Sequence, residues 1–217
     1  MVFSTIIFLF RFLPITLALY YLAPAKLKNT ALFLCSLVFY CWGEVRFFPV
    51  MVALILINYL SGLAIEHFDA KPALRRFFLL VALIGSLGML FYFKYANFVL
   101  RSVNALLGTA FAEIQGIGTL PLGISFYTFA AISYLIDAAR GDCEVETSFI
   151  DFALFLNFFA TVTQGPICRA GALLPQFKAE HRFDAARTVQ ALRLLALGLF
   201  KLVAVSDVLG LLVDEVF

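Results

Sequence analysis

The chain has 217 residues, 63% of them hydrophobic and 14% charged, with a mean hydropathy of +0.99 and a formal net charge of +2. Soluble domains use roughly 45–50% apolar and about 25% charged residues, so a water-soluble globular protein is excluded and a polytopic membrane protein implied. Lys and Arg lie mostly between apolar runs and form no basic block, which excludes nucleic acid as a partner.

Apolar runs at about 4–22, 30–43, 47–65, 77–95 and 119–136 predict crossings, each measured against the ~20 residues that a bilayer needs. The run at 30–43 is short, so it is expected to tilt little or to thin the bilayer locally. Residues 3–22 lack the basic start of a signal peptide and read as a retained first span, in which Arg11 can snorkel. "EHFDAKPALRR" (66–76) is a short charged connection. Residues 96–118, half polar and bounded by glycine, predict an interfacial amphipathic helix and a turn. A last run begins near Arg193 and continues to Phe217, with Asp207 expected near a membrane surface. No repeat, low-complexity tract or soluble domain is evident.

Cytoplasmic loops retain Lys and Arg, which orients the chain. With the amino terminus outside, Lys26, Lys28, Lys71, Arg75 and Arg76 fall inside, against Arg46, Lys94 and Arg101 outside. Arg140 adds to the inner side. A full crossing by residues 149–166 would place Arg169, Lys178, Arg182 and Arg187 outside and reverse the bias. A segment that enters and returns keeps all of them inside.

The stretch "FFATVTQGPICR" (158–169) offers a place to turn, because Pro166 removes a backbone donor and Gly165 tolerates unusual dihedrals. Irregular backbone at membrane depth survives only when buried in protein or lining a wet cavity. A re-entrant element beside a pocket is therefore expected, with a Pro-kinked span as the alternative. Asn157, Thr161 and Gln164 share one face if the segment is helical. Such a stripe serves interhelical hydrogen bonding or lines a pocket. In "LPLGISFYTFAAISYLIDAARG" (120–141), Pro121 and Gly123 open a helix. Tyr127, Ala130, Ala131, Tyr134 and Asp137 then fall along one face, either a close-packing seam ending at Asp137 and Arg140 or a source of hydroxyls.

Cys35, Cys41, Cys143 and Cys168 form no C-x-x-C pair and stand near no histidine cluster, so neither a metal site nor a redox motif is expected. His67 and His181 lie in charged connections, where neither has the setting of a general base. Nucleotide-binding, serine-hydrolase and zinc-protease motifs are absent from the sequence. Residue chemistry alone leaves a membrane bundle with an intramembrane pocket and no written reaction.

Longer stretches add a resemblance. "MVFSTIIFLFRFLPITLALYYL" (1–22), "SLVFYCWGEVRFF" (36–48), "FKYANF" (93–98) and "LPLGISFYTFAAISYLIDAARG" resemble bacterial membrane-bound O-acyltransferases of the alginate O-acetylase type. So do "SFIDFALFLNFFATVTQGPICRAGALLPQF" (148–177) and "ALGLFKLVAVSDVLGLLVDEVF" (196–217), in order along the whole chain. The resemblance implies an all-α, polytopic transmembrane bundle around a funnel or tunnel, with an interfacial helix and a re-entrant segment. Residues 1–217 would form the amino-terminal portion of one such domain, in a bacterial inner membrane and in contact with lipid.

The implied activity moves an acyl group, usually acetyl, from acyl-CoA or another cytoplasmic acyl carrier to hydroxyls of an envelope polysaccharide or cell-wall polymer. Acceptors in such families include alginate, other exopolysaccharides, peptidoglycan and teichoic acid, and accessory extracytoplasmic proteins commonly complete the transfer. The family's histidine base normally follows the segment that resembles 196–217, so no catalytic residue is assigned within this chain. Asn157, Thr161, Gln164, Arg169, Tyr127 and Tyr134 are the candidates for the tunnel or donor site, Arg169 for an anionic group such as a CoA phosphate. A non-catalytic transporter or export-complex scaffold is the competing class, since broken helices also build transport sites.

Overall fold

The computed structural model describes residues 5–109, 111–114, 120–163, 165–206, 208–210 and 213. They are helical, with no strand among them. Two units separate, one of residues 29–179 and one of residues 1–28 with 180–217.

The first unit holds α2 (Lys28–Glu44, whose first residue falls in the other unit), α3 (Phe48–His67), α4 (Pro72–Leu107), α5 (Ile124–Arg140), α6 (Phe149–Asn157) and α7 (Ala170–Lys178). Among the described residues, α3 and α4 are both long and apolar enough to cross a membrane. The wholly apolar outward row of α4, with Phe77, Leu80, Ile84 and Phe91 exposed, suits a lipid-facing surface rather than water. Its inward row, Ala82, Ser86 and Leu90, repeats every four residues and is buried. There the Asn58 amide of α3 donates to Ser86 Oγ at 2.9 Å and to the Leu54 carbonyl at 2.8 Å. Without an aqueous driving force, such small residues and polar bonds are what join membrane helices. On its other side α3 meets α5 at Gly62, where an added Cβ would lie 3.0 Å from the Tyr134 hydroxyl.

The region expected to form a separate interfacial helix is instead continuous with the span before it. Residues 96–107 complete α4, whose 36 residues extend about 54 Å, well beyond a hydrocarbon core of about 30 Å. Its polar face is used differently. Asn97 bonds both the N–H and the carbonyl of Ile114, Asn104 does the same for Phe111, and Arg101 forms two bonds to Glu113. A strap of residues 109–114, in which residue 110 is not described, thus folds back along the end of α4. The polar face of this end of α4 is thus turned to the returning chain.

The second unit contains a π-helical turn (Phe8–Phe12) running into α1 (Leu13–Leu22), and α8 (Ala185–Phe200) running into a π-helical stretch (Lys201–Ser206). Tyr21 meets Phe183 edge to face at 5.8 Å, and Lys28 Nζ donates to the His181 carbonyl at 2.9 Å. The last helix begins at Ala185, eight residues before the expected Arg193, because Asp184 caps it by accepting from the Arg187 N–H. Asp207 lies outside the described residues.

A hairpin crevice as candidate functional site

The segment from 149 to 178 is neither an unbroken span nor a span kinked at proline. Ser148 caps α6 by accepting from the Asp151 N–H at 3.3 Å, and the helix ends at Asn157, before Gly165-Pro166 is reached. Nine residues extend only about 14 Å, less than half a bilayer core. Phe152 to Asn157 are all buried, so the last six residues of α6 are enclosed by protein, while Phe149 and Ile150 at its start are exposed. A turn at 158–163 and a non-helical stretch at 165–169 lead to α7. The break is thus a reversal that takes up the whole stretch between Asn157 and Ala170, not a kink.

The chain returns to where it started. Lys178 Nζ, at the end of α7, pairs with Glu146 Oε2 at 2.8 Å, just before α6 begins. Glu146 is a junction: its Oε1 accepts from the Ser148 N–H at 3.0 Å, and its own N–H donates to the Tyr134 hydroxyl at 3.0 Å. Nearby, Tyr59 of α3 donates to the Thr147 carbonyl at 2.6 Å. Arg75 reaches from the start of α4 to the Ala139 carbonyl and pairs with Asp69 at 2.7 Å. Arg75 and Lys178 therefore both reach the chain at the end of α5 and the connection that follows it, at Ala139 and Glu146.

At the other end, the tip of the hairpin rests on α5. Gly123, with φ +71°, is the residue before α5, and a Cβ there would sit 1.9 Å from the Val162 carbonyl oxygen. Gly165 is tied by space and not by dihedral angle, since a Cβ would lie 2.5 Å from Thr161 Cα and 2.6 Å from the Ala160 carbonyl oxygen. The tip also docks on α2, where Ser36 Oγ accepts from the Phe159 N–H at 3.2 Å. A narrow crevice of about 10 Å³, room for a single water, opens there among Tyr127, Ala130, Phe155, Thr161, Pro166 and Cys168.

The sequence candidates separate on this frame. Tyr127 and Thr161 line the crevice, and Thr161 donates to the Phe158 carbonyl at 3.3 Å. The expected helical stripe of Asn157, Thr161 and Gln164 does not form, because the helix ends at its first member; Gln164 lies outside the described residues. Asn157 is fully buried. Tyr134 is also buried, but its hydroxyl accepts from Glu146, a bracing contact at the opposite end of α5. Arg169 is exposed at the start of α7, next to Cys168.

Buried polar atoms mark the same region. Among the described residues, the hydroxyls of Tyr40, Tyr127 and Thr128 and both amide atoms of Asn157 are buried without a hydrogen-bond partner. Each orphaned group costs about 1–3 kcal/mol, and the low dielectric around it does nothing to relieve that cost. The Tyr40 and Tyr127 hydroxyls are each other's polar neighbour across α2 and α5, close enough to interact though short of full hydrogen-bond geometry. Tyr40 and Thr128 were not expected from the sequence. A tyrosine in an apolar helix gives no sign of what it faces until its neighbours are fixed.

No family profile matches the chain, and no solved structure matches it. Curated relatives do. A probable alginate O-acetylase AlgI of Azotobacter vinelandii is 38% identical over 221 residues, covering 100% of this chain and 44% of the relative. The protein of the same name in Pseudomonas putida is 40% identical over 223 residues, again covering 100% of this chain and 45% of the relative. A peptidoglycan O-acetyltransferase of Helicobacter pylori is 30% identical over 238 residues, covering 95% of the chain and 45% of the relative. The chain spans less than half the length of the curated relatives it matches. With whole-chain matches at 38–40% identity, this chain is similar along its full length to alginate O-acetylases, which are membrane-bound O-acyltransferases.

Proposed function

We propose that these residues form part of an O-acetyltransferase of a bacterial inner membrane, acting with a cytoplasmic acyl donor and an envelope-polymer acceptor. The observation that carries this reading is the match of the whole chain to relatives named for O-acetyl transfer. In it, the hairpin at 149–178 is a re-entrant element, and Tyr40, Tyr127, Asn157 and Thr161 form a polar wall of the acyl passage. Orphaned hydroxyl and amide groups in an apolar bundle supply the donors and acceptors that a thioester carbonyl or an acceptor hydroxyl requires. At about 10 Å³ the crevice admits water and no acyl chain, so these residues line one side of the passage and do not enclose it.

Transfer requires a base to take the acceptor's hydroxyl proton while its oxygen attacks the thioester carbon. A C–O bond forms, the C–S bond breaks, and the thiolate leaves and takes up a proton. His67 is exposed at the end of α3 and is not among the residues that line the crevice. The base of this reading lies outside these residues. The donor is acetyl-CoA or a related carrier, for which exposed Arg169 offers a phosphate contact, and accessory extracytoplasmic proteins receive the acetyl group.

The test is acetyl transfer from labelled acetyl-CoA by the full-length protein in membrane vesicles, scored on alginate and on peptidoglycan. Incorporation into either polymer supports the reading and identifies the acceptor. A full-length protein that folds, yet moves no acetyl group to either polymer with its gene-neighbour proteins present, refutes it.

A further inference from the structure

One side chain outside the hairpin holds both of its ends. The Asn29 amide nitrogen donates to Asp151 Oδ1 at 2.7 Å and to the Phe177 carbonyl at 3.0 Å. Asp151 lies in the first turn of α6, and Phe177 is the penultimate residue of α7. An amide NH₂ has two donors, and here both are spent on joining the segment's beginning to its finish. The far end is held from outside by less: Ser36 Oγ accepts from the Phe159 N–H, and Gly123 lies against Val162. Residues 158–163 and 165–169 are non-helical, and Thr161 donates only three residues back. The placement of that tip against α5 therefore depends in part on how α6 and α7 are held at their base. The neighbouring Lys178–Glu146 pair helps, but the Lys178 side chain is 57% exposed and open to screening by salt.

We propose that Asn29 is a positioning residue for acetyl transfer: it latches Asp151 to Phe177 and thereby fixes the Tyr127–Thr161 crevice at the opposite end of the hairpin. The inference rests on the acetyl-transfer reading above. It needs no contact between Asn29 and the reacting groups, because displacement of a catalytic wall by about 1 Å can cost on the order of a hundredfold in rate.

The test uses the full-length protein carrying Cys168 as its sole cysteine. Cys168 lines the crevice, so its rate of labelling by a small maleimide reports whether the tip is seated, independently of any acetyl transfer. Asn29→Ala is expected to raise that labelling at least about fivefold and to lower kcat at least about tenfold, with KM changed less than about twofold. Asn29→Asp should behave as badly or worse, since it sets two carboxylates together. Adding Asp151→Asn to it restores a donor–acceptor pair and should recover Cys168 protection and part of kcat. Unchanged labelling and kcat in Asn29→Ala would overturn the latch. So would a loss of folded protein in step with activity that Asp151→Asn does not rescue. Labelling that rises as expected, in a protein whose wild type transfers no acetyl group, overturns the acetyl-transfer reading and leaves the clamp itself standing.

Discussion

Glu146 and Lys178 meet at 2.8 Å across the open end of the hairpin, with the Glu146 side chain 2% exposed and Lys178 57% exposed. The pair is lopsided, and so are its mutational consequences. Lys178→Ala strands a buried carboxylate and should cost about 1–3 kcal/mol of stability, whereas Glu146→Gln keeps the acceptor for Ser148 and should cost about 1 kcal/mol or less. The hydrogen bond to Glu146 holds the Lys178 ammonium above its ordinary value of 10.5. A raised folded-state value means the contribution is complete below that ordinary value and disappears as pH rises through the higher one. Thermal unfolding in detergent between about pH 9 and pH 12 should show a larger alkaline loss in the wild type than in Lys178→Ala.

Gly123 and Gly165 hold the tip by close approach, so adding a methyl group at either should be expensive. Gly123→Ala puts a carbon 1.9 Å from a carbonyl oxygen and also requires a left-handed backbone. A loss of roughly 3 kcal/mol or more is expected from overpacking plus strain. Gly141→Ala is the control, since its φ is +81° but nothing lies within 4 Å of the new carbon. It should lose only the strain, about 1–2 kcal/mol. Equal losses at the two positions in a melting experiment would show that Val162 does not press on Gly123.

The orphaned groups of Asn157 and Tyr127 predict an unusual separation of stability from activity. Replacing an unsatisfied buried polar group with an apolar one of similar shape removes a penalty, so Asn157→Leu and Tyr127→Phe should leave stability unchanged or raise it by about 1–2 kcal/mol. Acetyl transfer by the full-length protein should fall by tenfold or more in both. A drop in melting temperature with activity intact would mean that these groups serve only packing.

The strap at 109–114 should release in acid. The hydrogen bond from Arg101 holds the Glu113 carboxyl below its ordinary value. A depressed value means the contribution is present above the ordinary carboxylate range and is lost as pH falls through the lower folded-state value. Amide exchange at Ile114 and Phe111 should quicken as pH drops from about 6 to about 3, once corrected for the intrinsic rate. Glu113→Gln should quicken it at pH 6 already.

The apolar runs, the membrane setting and the helical class were readable without coordinates, because hydrophobicity and helical period are properties of neighbouring residues and need no knowledge of distant ones. The same holds for the family resemblance, which is carried by ordered local motifs such as "GISFYTF" and "TQGPICR". Charge bias along the chain favoured a segment at 149–166 that enters and returns over one that crosses. Tertiary structure decided where it turns, ending the helix at Asn157 and not at Gly165-Pro166, and dissolved the stripe expected of Asn157 and Thr161. It also joined residues 96–107 to α4, assigned Tyr134 to bracing, and added Tyr40 to the polar cluster. Those outcomes depend on contacts such as Glu146 with Lys178 and Ser36 with Phe159, between residues far apart in sequence. A one-dimensional pattern states which groups will seek partners, but only the packed chain settles which partners come within 3 Å.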